Sequence, residues 1–402
     1  MVRTAGESRL WTFKSDSSRG ARGPPRPPFT LGQLGSSKLG RAACRPQLRA
    51  GHDCTPRARI GFVTNYLEKP IRDPSPRNVQ GALQCTGMPL GTTELPLLNE
   101  LSFSTIVFVT NRRPSAAIAL AARFNPAVNV RVLTPSGQRE RVRALGGSWS
   151  DLSAHDNRSR AFTAIYRQGA IGPRDYWRFC HSRWISIAAD LQENPPLAQK
   201  SAVAVMDDDV LLFEAVESRL REAGQFHREA QAETVVNGAF VLASAGVLAR
   251  FASFLWWLYS LPLEKLGAIV WTYGEPKKVG DLNLAQRGRL DPVFVRGQQY
   301  AQFTDMHAID AFRFLSRAAQ LPPNLRVRWA AGHRRSYCTA LPRLPLGHEV
   351  VSTWVWRDGV PHSAAVGQPP KPLCFVHLQG PAAKQKMAQI LQLAGHSASS
   401  RL

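Results

Sequence analysis

Three short apolar runs constrain the fold of this chain more than anything else in it. Of Ser104–Thr110, Val128–Leu133 and Ala202–Met206, the second is interrupted by Asn129 and Arg131, but the first and third are dominated by Val, Ile, Phe and Ala without polar alternation. Strands of that kind are buried on both faces, as happens in a parallel sheet covered by helices. The residues between the first two runs agree. Asn111–Pro114 reads as a turn, and Pro114 suits the first position of a helix over Ser115–Arg123, whose Ala, Ile and Leu share a face. This strand–helix–strand unit opens a doubly wound, mostly parallel α/β sheet flanked by helices.

Further elements follow in order. The spacing of Tyr176, Phe179, Cys180, Ile187 and Leu191 predicts a helix to about Asn194, with Asp175 available as its cap and Pro195-Pro196 as its stop. Val235–Leu242 reads as a strand, and Ser244 can cap a Trp-bearing helix to Ser260. Asp305 is a natural N-cap for a helix with Ile309, Phe312 and Leu315 on one face. Val350–Trp356 and the Asp358-Gly359 turn suggest a hairpin. Last come a strand over Leu373–Leu378, a turn at Gln379–Pro381 and a terminal helix from about Ala382. The most apolar stretch, Phe240–Leu263, contains Arg250. A membrane span there would hold a guanidinium near the bilayer centre, at roughly 2.5–3.5 kcal/mol, so a buried amphipathic helix is the simpler reading and no transmembrane span is expected.

The 402 residues carry a formal charge of +22. Residues 1–60 hold 12 Lys+Arg against Glu7, Asp16 and Asp53. Residues 1–58, rich in Arg, Gly, Ser and Pro, read as a disordered basic tail, and 59–100 as a transitional segment. The tail is as Arg- and Ser-rich and as acid-poor as an organellar transit peptide, and no signal peptide is evident. The charge excess is heaviest in the tail and otherwise dispersed, which favours a solvated arm over a nucleic-acid groove and would draw anionic substrates. The six cysteines, Cys44, Cys54, Cys85, Cys180, Cys338 and Cys374, lack CxxC spacing, which speaks against a zinc module or a small disulfide scaffold. One or two bridges and six free thiols are both compatible with them. Localisation stays open between a secretory or Golgi lumen, where the Asn157-Arg158-Ser159 sequon would matter, and a soluble intracellular setting.

The sharpest chemical signal is Val205-Met206-Asp207-Asp208-Asp209-Val210, a buried strand that ends in three acids. Ligands of open α/β sheets bind beyond the carboxyl ends of the strands. Strand alternation would point Asp207 and Asp209 the same way and Asp208 oppositely. Two converging carboxylates repel unless a cation lies between them, and Mn²⁺ or Mg²⁺ suits such oxygens while leaving positions for substrate phosphates. The alternative is a solvated acidic turn. Cys374–Gly380 repeats the pattern with His377 at a strand end. A neutral imidazole is a good third ligand for Mn²⁺, Gly380 would let backbone N–H groups approach phosphates, and Lys384 could reach a diphosphate oxygen. A lone histidine there would be a satisfied structural residue.

In this order the motifs resemble those of glycosyltransferases of the GT-A type, with a DxD motif and a C-terminal His-x-x-Gly…Lys element. Tyr176–Trp184 is similar to that family's Phe-Cys-x-x-Arg-Trp helix, and Met206–Phe213 to its Asp-x-Asp-Val-Leu-Leu segment. Asn237–Phe240 stands at its acceptor-side turn, Asp305-Met306 resembles an Asp-Met pair opening a later helix, and His377–Gly380 with Lys384 resembles its closing motif. The resemblance covers about residues 101–395. Trp177 replaces an expected acid, and Asn237-Gly238 a more hydroxyl-rich turn.

The resemblance implies a GT-A domain that moves a sugar from a UDP- or GDP-linked donor to a glycan, protein or small-molecule hydroxyl. Asp207, Asp209 and His377 would hold Mn²⁺ or Mg²⁺. Thr110, Asn111, Arg183, Asp208, Gln379, Gly380 and Lys384 would face the donor, and Asn237 and Gly238 the acceptor. Arg183 could equally be a solvated helix cation. Asp305 is the candidate base if the reaction inverts. The rival readings are a nucleotidyltransferase on a related sheet and a non-catalytic basic protein that binds polyanions. The first would release pyrophosphate, and the second would lose its ligand steeply with salt and ignore the aspartates.

Overall fold

A computed structural model describes residues 94–194, 201–217, 229–235 and 240–330, and the short stretches 353–357, 360–364, 371–372 and 375–378 with residue 390. Its centre is a six-stranded mixed sheet. The chain enters through β1 (Ser102–Val109), crosses by α1 (Ala117–Phe124) to β2 (Asn129–Thr134), and by α2 (Arg139–Ala144) to β3 (Ser148–Asp151). Helices α3 (Asp156–Ile165) and α4 (Arg174–Glu193) then lead to β4 (Ser201–Met206) in the middle of the sheet. After the short β5 (Val210–Leu212), β6 (Ala232–Val235) and β7 (Phe240–Ser244) complete the order β3-β2-β1-β4-β7-β6. β1 pairs parallel with β2 and β4, as β2 does with β3, whereas β7 runs antiparallel to both β4 and β6. The architecture is thus the expected mostly parallel sheet flanked by helices.

The apolar strands serve two cores at once, because successive side chains point to opposite faces. Val107, Val109, Val203, Val205, Val241 and Ala243 join Trp184, Ile187 and Leu191 of α4 and the aromatic residues of α5 (Ala245–Tyr259). Ile106, Phe108, Ala202, Ala204, Met206, Phe240 and Leu242 face the other way, onto Ile118, Leu120 and Ala121 of α1. Each fully buried Val, Leu, Ile or Phe contributes about 1.5–3 kcal/mol, so neither face could be given to water. That is why no polar alternation interrupts the buried stretches of β1, β4 and β7.

The Trp-bearing helix α5 is capped as expected: the Ser244 Oγ accepts the Val247 N–H at 3.2 Å. Among the described residues no helix is long and apolar enough to cross a membrane, and Phe240–Leu263 divides into β7, α5 and the start of α6 (Leu263–Tyr273). A small sheet of β8 (Glu275–Lys278), β9 (Val295–Arg296) and β10 (Gln299–Gln302) leads into α7 (Asp305–Arg317), whose Ile309, Phe312 and Leu315 are buried against α5. The hairpin expected near Asp358 is present as β11 (Thr353–Arg357) and β12 (Val360–Ala364), with β13 (Lys371–Pro372) beside it. The final strand, β14 (Phe375–His377), pairs with β5.

Several expectations need correcting. The helix after β1 starts at Ala117 rather than Ser115, because the Ser115 Oγ instead accepts the Ala117 N–H and donates to the Asp208 carbonyl. Asp175 does not cap α4, which begins at Arg174; it pairs with Arg178 one turn on. The single strand expected over Val235–Leu242 is the two antiparallel strands β6 and β7. Asp305 is not an N-cap either. Thr304 precedes the helix, its N–H donating to the His307 Nδ1, and Asp305 turns inward. The terminal helix from Ala382 and the sites assigned to Asn237, Gly238, Gln379, Gly380 and Lys384 lie outside the described residues.

Candidate metal and donor site

The three acids follow β4 directly, but as a turn and not as further strand. The Val210 N–H donates to the Asp207 carbonyl at 3.1 Å, reversing the chain into β5. Asp207 and Asp209 therefore converge through the turn and not through strand alternation. β14 runs antiparallel to β5 with His377 opposite Val210, and the Leu378 N–H donates to the Asp209 carbonyl at 2.8 Å. This register delivers an imidazole from about 170 residues away. Nitrogen and carboxylate atoms of Asp207, Asp209 and His377 all lie within 4.8 Å of one another, and the His377 Nε2 is 3.4 Å from an Asp209 oxygen. His377 thus belongs to a two-stranded ribbon with β5, apart from the main sheet.

Asp208 points towards the end of β1. The Thr110 hydroxyl donates to its Oδ2 at 3.3 Å, and the Ser115 hydroxyl donates to its carbonyl at 2.5 Å. Thr110 is buried and also accepts the Arg112 N–H, whereas Asn111 is exposed beside it. Arg112 lies over the Tyr176 ring at 5.5 Å, joining the turn after β1 to the N-terminal end of α4. In the sequence Ser115 reads only as the start of a helix, although a hydroxyl after Pro114 is a visible signal of a second role. Its hydrogen bond ties the acidic turn to the first helix.

Beneath the acids lies Arg183 of α4. Its guanidinium donates to the Asp207 Oδ1 at 2.5 Å and to the Asp305 Oδ2 at 2.8 Å. Arg183 is therefore not a solvated helix cation, and both its terminal nitrogens are engaged by carboxylates. Asp305 is almost fully buried, and its Oδ2 also accepts the Trp184 indole N–H at 3.2 Å. The segment before it is pinned: the Phe303 N–H donates to the Gly169 carbonyl at 2.7 Å, and a Cβ on Gly169 would come within 2.1 Å of the Phe294 ring. A carboxylate so enclosed and so occupied is badly placed to take a proton from an incoming hydroxyl, which argues against Asp305 as base.

The electrostatics are those of a strained cluster. Burial pushes the Asp207 carboxyl up to about 6, with Asp209 and Asp305 adding to the rise, although Arg183 opposes it. Nearby, burial lifts the Cys180 thiol to about 12, and this free cysteine is inert packing in α4. The donor set of two carboxylates and one imidazole suits Mn²⁺ or Mg²⁺, and a dication there would relieve the repulsion that burial amplifies.

No family model matches the chain, and no curated protein sequence matches it either. Among solved structures it is similar to the apo form of mouse xyloside xylosyltransferase 1, at 11% identity and TM-score 0.31, over 42% of this chain and 75% of that one. It is also similar to the galactosyltransferase LgtC in complex with donor and acceptor sugar analogues, at 10% identity and TM-score 0.26, over 74% of this chain and 97% of that one. A third is the apo bifunctional glycosyltransferase WbbM, at 10% identity and TM-score 0.23, over 52% and 37%. The likeness is loose, so the functional reading has to stand on the site's own chemistry.

Proposed function

We propose that the chain is a metal-dependent glycosyltransferase that uses a nucleotide-diphosphate sugar. The observation that carries this reading is the meeting of Asp207, Asp209 and His377 at the carboxyl end of the central strand β4. The order of motifs in the sequence, similar to that of GT-A glycosyltransferases, supports the choice of sugar transfer. Asp207, Asp209 and His377 would hold the cation, and Mn²⁺ or Mg²⁺ would supply a counter-charge for the departing diphosphate. Asp208, held by Thr110 and Ser115, lies on the side where Thr110 and Asn111 would meet the nucleoside. Gln379, Gly380 and Lys384 are assigned to the diphosphate and Asn237 and Gly238 to the acceptor, on the sequence resemblance alone.

The test is product analysis with UDP- and GDP-sugars in the presence of Mn²⁺. Release of a nucleoside diphosphate, lost in Asp207→Ala and His377→Ala, is expected. Release of pyrophosphate from nucleoside triphosphates would favour nucleotidyl transfer instead. Full activity in either variant would defeat the site assignment.

A further inference from the structure

Asp305 stands apart from the three acids, yet it is wired to them. It lies at the start of α7 beside α4, almost without exposure, where an ionised carboxylate is stable only with strong partners. Its Oδ2 has two such partners, Arg183 and Trp184, from consecutive positions of α4. Arg183 spends its two terminal nitrogens on two different carboxylates, Asp207 and Asp305, and its Nε is buried without a partner. A guanidinium fork that could bind one carboxylate in bidentate fashion is thus split between two.

The split matters for charge. A bidentate Arg183 on Asp207 would occupy both carboxylate oxygens and cancel their charge, leaving little to attract a cation. With Asp305 drawing one arm away, Arg183 contacts only the Oδ1 of Asp207. Asp207 is then oriented by one hydrogen bond while its second oxygen can turn towards Asp209 and His377. The acids of the turn and Asp305 outnumber Arg183, so the cluster stays net negative, which suits a cation.

We propose that Asp305 is a positioning residue for the cation: through Arg183 it holds Asp207 in its ligating orientation and keeps the guanidinium from neutralising it. This rests on the metal reading of Asp207, Asp209 and His377. Asp305 touches neither cation nor substrate and acts only by way of Arg183.

The experiment is Mn²⁺ titration of the full chain, followed by the paramagnetic resonance of free Mn²⁺, without nucleotide or acceptor. Wild type, Asp305→Asn, Arg183→Met and the double variant are compared, with Asp209→Ala as a ligand control and thermal unfolding as a control for the fold. Asp305→Asn is isosteric and can still accept the Trp184 N–H. It should weaken Mn²⁺ by about 10–100-fold, the usual cost of losing an outer-sphere partner. In the Arg183→Met background, where Asp305 has nothing to act through, the same substitution should change the affinity less than about threefold, because the two effects are coupled and not additive. Wild-type affinity in Asp305→Asn would overturn the proposal, as would an equal loss in both backgrounds. Failure of the metal reading looks different: wild type and Asp209→Ala would then both leave Mn²⁺ unbound.

Discussion

Two aspartates of this protein, Asp190 buried and Asp207 half-buried, each meet an arginine, and they end in opposite electrostatic states. Asp190 of α4 accepts two hydrogen bonds from Arg131 of β2, at 2.5 and 2.8 Å, and a third from the Ser150 hydroxyl at 2.6 Å, with the His155 Nε2 3.7 Å away. Burial alone would raise its pKa, but the nearby His155 and the hydrogen bonds from Arg131 and Ser150 overcome it and hold the carboxyl at about 2. Asp207 has one contact from a shared arginine and two carboxylates nearby, and burial leaves it at about 6. A satisfied buried pair is structural. A carboxylate kept underpaired beside other acids, at the end of a sheet strand, is what a cation site requires.

The contrast is sharpest in stability. Asp190→Ala strands the Arg131 guanidinium beneath α4 and should cost about 3–5 kcal/mol in denaturant unfolding. A loss under about 1 kcal/mol would show that this pair is not a clamp. Asp207→Asn should do the reverse. A folded-state pKa above the ordinary value of 3.8 means that Asp207 favours folding fully below pH 3.8 and ceases to as pH rises through about 6. Metal-free Asp207→Asn should therefore melt higher than wild type at pH 7.5, and the two should converge as pH falls from about 6 to 3.8. The same variant should bind Mn²⁺ more than about 100-fold more weakly, beyond what loss of an outer partner costs. Lower melting at pH 7.5 would mean that the Arg183 contact outweighs the burial of charge. For Asp190 the sign is opposite: its contribution is present above pH 3.8 and is lost as pH falls through about 2.

How much of this was legible in the chain depends on distance. β1 and β4 were readable because two buried faces leave no room for polar residues, and α5 because Ser244 sits where an N-cap belongs. The acids, and His377 as their partner, were found as types of residue at strand ends. The geometry that unites them, a β5–β14 register, depends on a non-local pairing that no spacing encodes. Two of the wrong details share one cause: a tertiary partner won over a local one. Ser115 left the helix start for the Asp208 carbonyl, and Asp305 gave up the cap for Arg183 and Trp184. Arg183 stays open between a donor contact and a solvated cation in the sequence, because helical spacing does not say which residue lies under a strand end.

The pH profile of metal binding is a smaller and complementary test. Ligating carboxylates must be ionised, so Mn²⁺ affinity should be nearly flat above pH 7 and fall about tenfold per unit below about pH 6. A midpoint near 4 would place the titration on an ordinary carboxylate. The least effect is expected at Ser115, whose hydroxyl anchors the turn from the far side. Ser115→Ala should cost about 1 kcal/mol in stability and weaken Mn²⁺ only several-fold. A hundredfold loss of affinity there would mean that the turn's backbone, and not Arg183, fixes the acids.

The most direct measurement is the anomalous scattering of Mn²⁺ in crystals of the full chain soaked with the ion and a nucleoside diphosphate. One peak bounded by the Asp207 and Asp209 carboxylates and the His377 imidazole, at about 2.0–2.3 Å from each, is expected. A peak elsewhere, or none at a saturating concentration, would contradict a cation site built from a turn and a returning strand.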